Sequence, residues 1–244
     1  MKKMFLVLLA VATAAVSPAY ADTLAQWTFE GDVTTPSIGT GTAALVGGTT
    51  ATFAAGNGGG RGWNTSTYAA QGTGSGTRGV SFFTSTLGFT DVELSFDHRS
   101  SGTGSRWSQV DYTLDGGANW VTGFWNNGGG LSPHDTFYSF NVDFSSVSGA
   151  NNNADFGVRI VSIFSPLAFD QSSTLAPFDA NTAYMRSNAG AVYSPNESTA
   201  TGDYGTSGTW RFDNVTFTAV PEPTSAAVLV GLAMVGLVRR RARA

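Results

Sequence analysis

The sequence has no cysteine, few histidines and lysines, and few charges of either sign, since only 12% of its 244 residues are Asp, Glu, Lys or Arg. The absence of cysteine excludes a disulfide scaffold, a Cys-ligated zinc or iron–sulfur centre and thiol catalysis. A formal charge of −4 argues against a basic surface for nucleic acid, so no nucleic-acid partner is expected. Glycine, with 31 residues, and aromatic side chains, at 12%, are abundant instead.

The N-terminus has the three parts of a secretory signal peptide. Lys2 and Lys3 precede the apolar run 5–16, and Ala19-Tyr20-Ala21 ends the segment in a small-x-small pattern. The sequence therefore predicts that residues 1–21 are a cleaved signal helix and that the mature chain starts at Asp22. The alternative is an N-terminal anchor, but the apolar run is shorter than the roughly 17–25 residues that a span needs.

The C-terminus combines the box Pro221-Glu222-Pro223, an apolar run and a basic end that begins with Arg239-Arg240-Arg241. Proline lacks an N–H and cannot continue a strand, so the box is expected to end the preceding domain. The apolar run 226–238 makes a helix of about 20 Å, which is short for a hydrocarbon core of about 30 Å. Snorkelling arginines can complete the span and place the basic end in the cytoplasm. The tail thus predicts a short transmembrane helix within residues 220–244.

This tail resembles the PEP-CTERM sorting signal of Gram-negative bacteria. The resemblance implies that an exosortase recognises and cleaves the tail, and that the protein is exported through the inner membrane and anchored there transiently. It then reaches the cell surface or the extracellular space. The alternative is a plain C-terminal membrane anchor. By position, the sorting signal consists of Pro221, Glu222, Pro223, Arg239, Arg240 and Arg241.

Between residues 22 and 219 the hydrophobic pattern has a period of two. Val92, Leu94 and Phe96 alternate with polar residues, and segments 110–114 and 140–144 repeat the scheme. Many short strands separated by Gly, Asn, Ser and Thr predict an all-β domain, a jelly-roll-like β-sandwich flanked by the two terminal helices. The polar stretches 57–77 and 165–208 are predicted to be long loops. The predicted strands are residues 24–29, 43–46, 79–84, 92–96, 110–114, 121–125, 140–144, 156–164 and 210–219.

The body also resembles the galactose-binding-like jelly rolls of secreted bacterial proteins. Segments 25–30, 94–104 and 208–215 carry the resemblance. It implies a domain that binds glycans or mediates attachment, with exopolysaccharide or another surface component as the partner.

Two tryptophans are candidate sugar contacts. Trp63 and Trp107 stand in Gly-, Ser- and Arg-rich segments, beside Arg61 and Arg106. If these segments are loops, the rings can meet the apolar face of a sugar while Arg, Asn and Ser bond its hydroxyls. The alternative is that both rings fold back over the edge of the sandwich. Trp27 and Trp210 fall in strand patterns and are expected in the core.

Two acidic residues are candidate ligands for a structural Ca²⁺, the one cofactor that the sequence suggests. Glu30 follows the first predicted strand, and Asp213 lies in the last one. In jelly rolls that bind carbohydrate, acids at these places often hold Ca²⁺, which prefers oxygen ligands. The alternating pattern also changes parity at Asp213-Asn214, which predicts a β-bulge there. The alternative is that both acids are solvated strand ends.

Residues 113–120 match an Asp-box, the [ST]-x-D-x-G-x-x-W hairpin. Asp115 can accept N–H bonds inside the turn, Gly116 and Gly117 supply the positive φ angles, and Trp120 packs against the hairpin. A single copy predicts a folding device and gives no support for a sialidase.

No catalytic residue can be assigned. His98 and His134 are the only histidines, and no G-x-S-x-G nucleophile elbow accompanies them. The sequence therefore predicts a secreted, non-catalytic cell-surface or matrix protein that binds exopolysaccharide or another surface glycan. The alternatives are a secreted hydrolase of glycans or phosphoesters and a purely structural matrix protein.

Overall fold

The computed structural model describes residues 20–123, 131–165, 183–187, 190 and 204–222. These residues form two antiparallel sheets that enclose one main core, so the predicted all-β sandwich is confirmed. The predicted signal helix and the predicted C-terminal helix lie outside the described residues. Within the part of the chain described, no helix is long and apolar enough to cross a membrane.

The described strands are short, and most of them match a predicted segment. A 3₁₀ turn at Ser148–Ala150 is the one helical element among these residues. In chain order the strands are β1 Asp22–Trp27, β2 Ile38–Gly39, β3 Thr42–Val46, β4 Thr50–Ala55, β5 Arg61–Ser66, β6 Gly79–Phe83, β7 Phe89–Ser100, β8 Ser108–Thr113, β9 Val121–Thr122, β10 Tyr138–Asp143, β11 Gly157–Ser162 and β12 Trp210–Pro221.

The first and last strands lie side by side in the same sheet. Sheet A has the order β10-β7-β12-β1-β2, and β5 also pairs with β12 and carries β4 on its other side. Sheet B has the order β3-β6-β11-β8-β9. As a result β3 ends sheet B and β4 ends the branch of sheet A, although the two strands are neighbours in the chain.

Aromatic side chains from the inner faces of both sheets fill the core. Trp27 of sheet A meets Phe82 of sheet B with ring centroids 5.2 Å apart. Phe217 likewise meets Phe156 at 6.0 Å. Trp27 and Trp210 are fully buried, as predicted. Burying an aromatic side chain of this kind contributes about 2–3 kcal/mol to folding.

The predicted bulge in β12 is confirmed. The pairing of β12 with β7 shifts register between Asp213 and Thr216, and Asn214 has a φ of 49°. The extra residue reverses the parity of the strand. Phe212 and Phe217 therefore both point into the core, although a regular strand would place them on opposite faces.

Four features of the chain differ from the sequence predictions. The two-residue strand β2 was not predicted. Strand β4 was not predicted either, and β5 lies inside stretch 57–77, which was predicted to be a loop. Both strands have few large apolar residues, so their period-two signal is weak. Strand β12 also runs two residues past the predicted boundary at residue 219, because Pro221 ends the strand opposite Phe89. The Glu222 N–H then donates to the Gly88 carbonyl at 2.8 Å.

Candidate functional site

A groove opens between the edge strands β3 and β4, where the chain crosses from sheet B to sheet A. Its volume is about 570 Å³, within the range of roughly 300–1,000 Å³ found for small-ligand sites. Three of the four residues that segment 32–35 contributes to the lining are polar, whereas the lining residues of β3, β4 and β5 are all apolar. The lining residues are Asp32, Val33, Thr34, Thr35, Ala43, Ala44, Leu45, Ala51, Phe53 and Trp63.

An ion pair lies at segment 32–35 of the groove lining. The Arg61 guanidinium donates to both carboxylate oxygens of Asp32, with Nη2 to Oδ2 at 3.0 Å. The same Nη2 donates to the Phe53 carbonyl at 3.2 Å. Hydrogen bonds from Arg61 lower the pKa of Asp32 and raise that of Arg61. The candidate residue Arg61 is therefore beside the groove as a neutralised, oriented pair.

Trp63 reaches the groove only by an edge. Its ring stacks on Phe29, with centroids 5.7 Å apart and planes inclined by 25°, and its side chain is 3% exposed. The prediction that Trp63 lies in a loop is wrong, because β5 pairs Trp63 with Phe212 and turns both toward the core. A sugar in the groove can touch this edge but cannot stack on a free face of the ring.

The candidate metal ligands Glu30 and Asp213 meet at the turn between β4 and β5. Asp213 Oδ2 accepts the Asn57 N–H at 2.8 Å, and Glu30 Oε1 accepts the Arg61 N–H at 3.0 Å. A Cβ at Gly60, which has a φ of +65°, would lie 2.0 Å from Glu30 Oε1. Glycine is therefore required for the turn to approach the carboxylate.

Asp97, which the sequence did not single out, joins this turn from strand β7. Its Oδ2 accepts the Asn57 side-chain amide at 3.0 Å and the Asn214 amide at 2.8 Å. Asp97 lies directly opposite Asp213 in the sheet. Burial raises the pKa of Asp213, and the charges of Asp97 and Glu30 add to the effect. Asp97 is brought to this turn by the pairing register of β7 with β12, which the sequence alone does not reveal.

Hydrogen bonds to backbone N–H groups connect both carboxylates to their surroundings. Asp213 Oδ1 accepts the Asn214 N–H at 2.8 Å, so three of the four oxygens of Asp213 and Glu30 accept backbone N–H groups. Among the described residues, no three acidic or histidine side chains are grouped to hold a metal. Binding of Ca²⁺ here stays a prediction, because each carboxylate oxygen keeps a second lone pair that can bind the ion beside its N–H partner. If Ca²⁺ does not raise the Tm of EDTA-treated protein, the prediction is wrong.

The second candidate pair, Arg106 and Trp107, is in a separate cluster just before β8. Both side chains are 3% exposed. Trp107 packs with Ile163 and Met185, the Arg106 guanidinium carbon lies 5.2 Å from the Trp107 ring centroid, and Arg106 Nε donates to Ser132 Oγ at 2.7 Å. Both side chains are therefore buried and have little surface for a glycan to contact. Trp63 and Trp107 both fold inward, as the alternative in the sequence analysis states.

Neither histidine resembles a catalytic base that is open to substrate. His98 is fully buried and stacks on Phe212 at 4.6 Å, and burial lowers its pKa to about 3. His134 is 4% exposed, and burial together with the charge of Arg106 lowers its pKa to about 4. Both imidazoles are therefore neutral at pH 7.

Comparison with known proteins yields structural neighbours but no family. No protein-family model and no curated protein match the chain. Among solved structures it is similar to the CBM22-1 xylan-binding domain from Paenibacillus barcinonensis Xyn10C, with a TM-score of 0.44 and 11% identity, covering 84% of this chain and 99% of that chain. It is also similar to the family 11 carbohydrate-binding module from Clostridium thermocellum in complex with a β-1,3-1,4-mixed-linked tetrasaccharide. That TM-score is 0.38, with 13% identity, 84% of this chain and 98% of that chain.

Proposed function

We propose that this chain is a non-catalytic, secreted cell-surface or matrix protein that binds a glycan in the groove between β3 and β4. The observation that carries the proposal is the asymmetric lining of the groove. The polar residues Asp32, Thr34 and Thr35 line the groove together with apolar residues such as Ala51. A sugar ring has the same asymmetry, with hydroxyl groups at its rim and C–H groups on its faces.

The charge of the protein favours an uncharged glycan. Residues 22–219 contain seven arginines against sixteen acidic residues, a formal charge of −9. Arg61, beside the groove, is already paired with Asp32. The negative charge of the domain would repel a polyanionic glycan, and Asp32 already neutralises the charge of Arg61 beside the groove.

Filling the groove is expected to abolish this binding. In Ala51→Leu the added carbon atoms occupy the groove, so the affinity for the bound glycan is expected to fall at least tenfold with little change in Tm. A glycan array followed by titration of the best neutral ligand measures the effect. The matched control is Thr52→Leu on the same strand, because Thr52 alternates with Ala51 and contacts Asn64 instead of lining the groove. Equal affinities of Ala51→Leu and wild type would refute the groove.

We further propose that export and sorting follow the signals at the two ends, with exosortase as the processing partner. The support is the order of signal peptide, Pro-Glu-Pro box, apolar run and arginine cluster in the sequence. The protein from its native host is expected to start at Asp22 and to lack residues 239–244. Intact mass, with and without the exosortase, tests this expectation. A mature protein that retains Arg239 and the residues after it would refute the processing step.

A further inference from the structure

A row of opposed residues crosses the outer face of sheet B. Each member is the direct cross-strand partner of the next, so all of them share one face. Four strand spacings of about 4.8 Å make the row about 19 Å long. The flanking Val80, Val110 and Val158 are buried in the core, which places the row on the opposite, outer face. From β3 to β9 the row is Ala44, Ser81, Arg159, Asp111 and Thr122.

Asp111 organises the centre of this row. Its side chain is 1% exposed, although it lies on the outer face. Its carboxylate accepts hydrogen bonds from Arg159 Nε at 2.8 Å, Gln109 Nε2 at 2.7 Å and Thr122 Oγ1 at 2.9 Å. The three donors are therefore held in fixed orientations. The Arg159 side chain bonds Asp111 through Nε and remains 23% exposed, so part of its guanidinium faces solvent.

Trp120 stands beside the row at the end of the Asp-box hairpin. Asp115 Oδ1 accepts the Asn119 N–H at 2.8 Å, and Thr113 Oγ1 accepts the Gly117 N–H at 2.9 Å, which fixes the turn as the motif predicts. The Arg159 guanidinium carbon lies 4.8 Å from the centroid of the Trp120 ring. The Trp120 ring is partly exposed. An indole and a guanidinium are thus held next to each other on an outer face.

We propose that this face, centred on Trp120 and Arg159, is a second glycan-binding surface, so that one molecule bridges two segments of glycan. Arg159 lies over one face of the Trp120 ring and Phe83 packs against the ring at 5.9 Å, so the part of the ring that stays exposed is the apolar surface for sugar C–H groups. Arg159 and the Gln109 Oε1 offer hydrogen bonds to hydroxyls. Because Asp111 neutralises Arg159 and the domain is acidic, the ligand is a neutral glycan segment that contacts the exposed part of the row at Arg159 and Trp120, since Ser81 and Asp111 are buried. The inference relies on the proposed function in taking a glycan as the ligand.

The centres of the two surfaces are separate, which makes bridging geometrically reasonable, although Ala44 at the β3 end of the row also lines the groove. The groove opens between β3 and β4 at the edge of the sandwich, whereas Arg159 and Asp111 belong to the interior strands β11 and β8 of sheet B. Binding of the second site to the same polysaccharide is then intramolecular and raises the overall avidity without new contacts. A bridging protein of this kind would cross-link a matrix.

Titration of the full-length chain with two neutral hexasaccharides, cellohexaose and mannohexaose, tests the inference, with hexagalacturonate as the charged comparison. We expect two sites for a neutral hexasaccharide and at least tenfold weaker binding of hexagalacturonate. Trp120→Ala is expected to weaken one site at least tenfold. Arg159→Lys keeps the charge but loses the planar fork, so it is also expected to weaken this site. It replaces Trp120→Ala as the test if Trp120→Ala does not fold. The matched control Arg78→Lys, whose arginine donates to the Thr67 carbonyl, should leave both sites unchanged.

The outcomes separate this inference from the proposed groove. A single site that Ala51→Leu removes and Arg159→Lys leaves intact would overturn the second surface and keep the groove. A single site that Arg159→Lys weakens and Ala51→Leu leaves intact would overturn the groove and also the bridging. Tighter binding of hexagalacturonate than of the neutral hexasaccharides would overturn the neutral-chain assignment.

Discussion

Between pH 7 and pH 4, the free energy of unfolding of the wild-type chain is expected to fall by about 3 kcal/mol more than that of His98→Phe. Burial lowers the pKa of His98 from 6.5 to about 3. Below pH 6.5 the unfolded chain therefore binds a proton that the folded chain does not. Stability from a neutral His98 is complete above pH 6.5 and decreases as the pH falls toward 3. Urea unfolding at several pH values, followed by Trp fluorescence, measures the difference.

The surroundings of His98 make its contribution separable. Its ring packs against Phe212, Trp210, Phe96 and Phe140, none of which is charged. Neither ring nitrogen has a hydrogen-bond partner, so phenylalanine removes two buried polar atoms and keeps an aromatic ring in the stack. His134→Gln is a second test and not a control, because the pKa of His134 is also lowered, to about 4, and its removal is expected to reduce the pH dependence in the same direction. Identical pH profiles for wild type and His98→Phe would contradict the prediction.

The strands that the sequence predicts most clearly are those whose two faces meet different surroundings. In β7 and β10 a polar outer face alternates with core residues such as Leu94 and Val142, so the period-two signal is clear. The parity change at Asp213 was likewise visible in the sequence and became the bulge. Strands β4 and β5 gave no such signal, because their inward side chains are mostly small and Gly62 interrupts the pattern.

The candidate site was only partly accessible to sequence reasoning. Glu30 and Asp213 were paired from their places at the first and last strands, and they do meet one turn. Trp63 was misplaced because its burial depends on its pairing with Phe212, nearly 150 residues later in the chain. The groove could not be predicted from the sequence, because it forms only when β3 and β4 lie at the edges of different sheets. The Asp-box predicted the hairpin of Trp120, but the register of β8 with β11 decides that Arg159 lies beside it.

Replacing Asp111 by alanine is expected to lower the free energy of unfolding by about 2–3 kcal/mol. Removing one partner of a fully buried ion pair costs about 3–5 kcal/mol, and the partial exposure of Arg159 reduces that penalty. The variant leaves Arg159, Gln109 and Thr122 without their shared acceptor. These donors would lose their fixed orientation. The outer face of sheet B at Trp120 and Arg159 is therefore expected to lose its glycan affinity even at temperatures where the variant is folded.

The control for this variant is Asp143→Ala, which removes an exposed carboxylate from β10. Asp143 accepts the Ser145 N–H at 2.7 Å, a local bond within the strand end, so its loss should cost less than about 1 kcal/mol. Urea unfolding at pH 7 compares the two variants, and titration with a neutral hexasaccharide measures binding at 10 °C below the lower Tm. If Asp111→Ala is as stable as Asp143→Ala, Asp111 is not the organising acceptor of this face. An Asp111→Ala protein that is fully stable and keeps both glycan sites would contradict the second surface. The second surface depends on the hydrogen bond from Arg159 to Asp111, which orients the guanidinium beside the Trp120 ring.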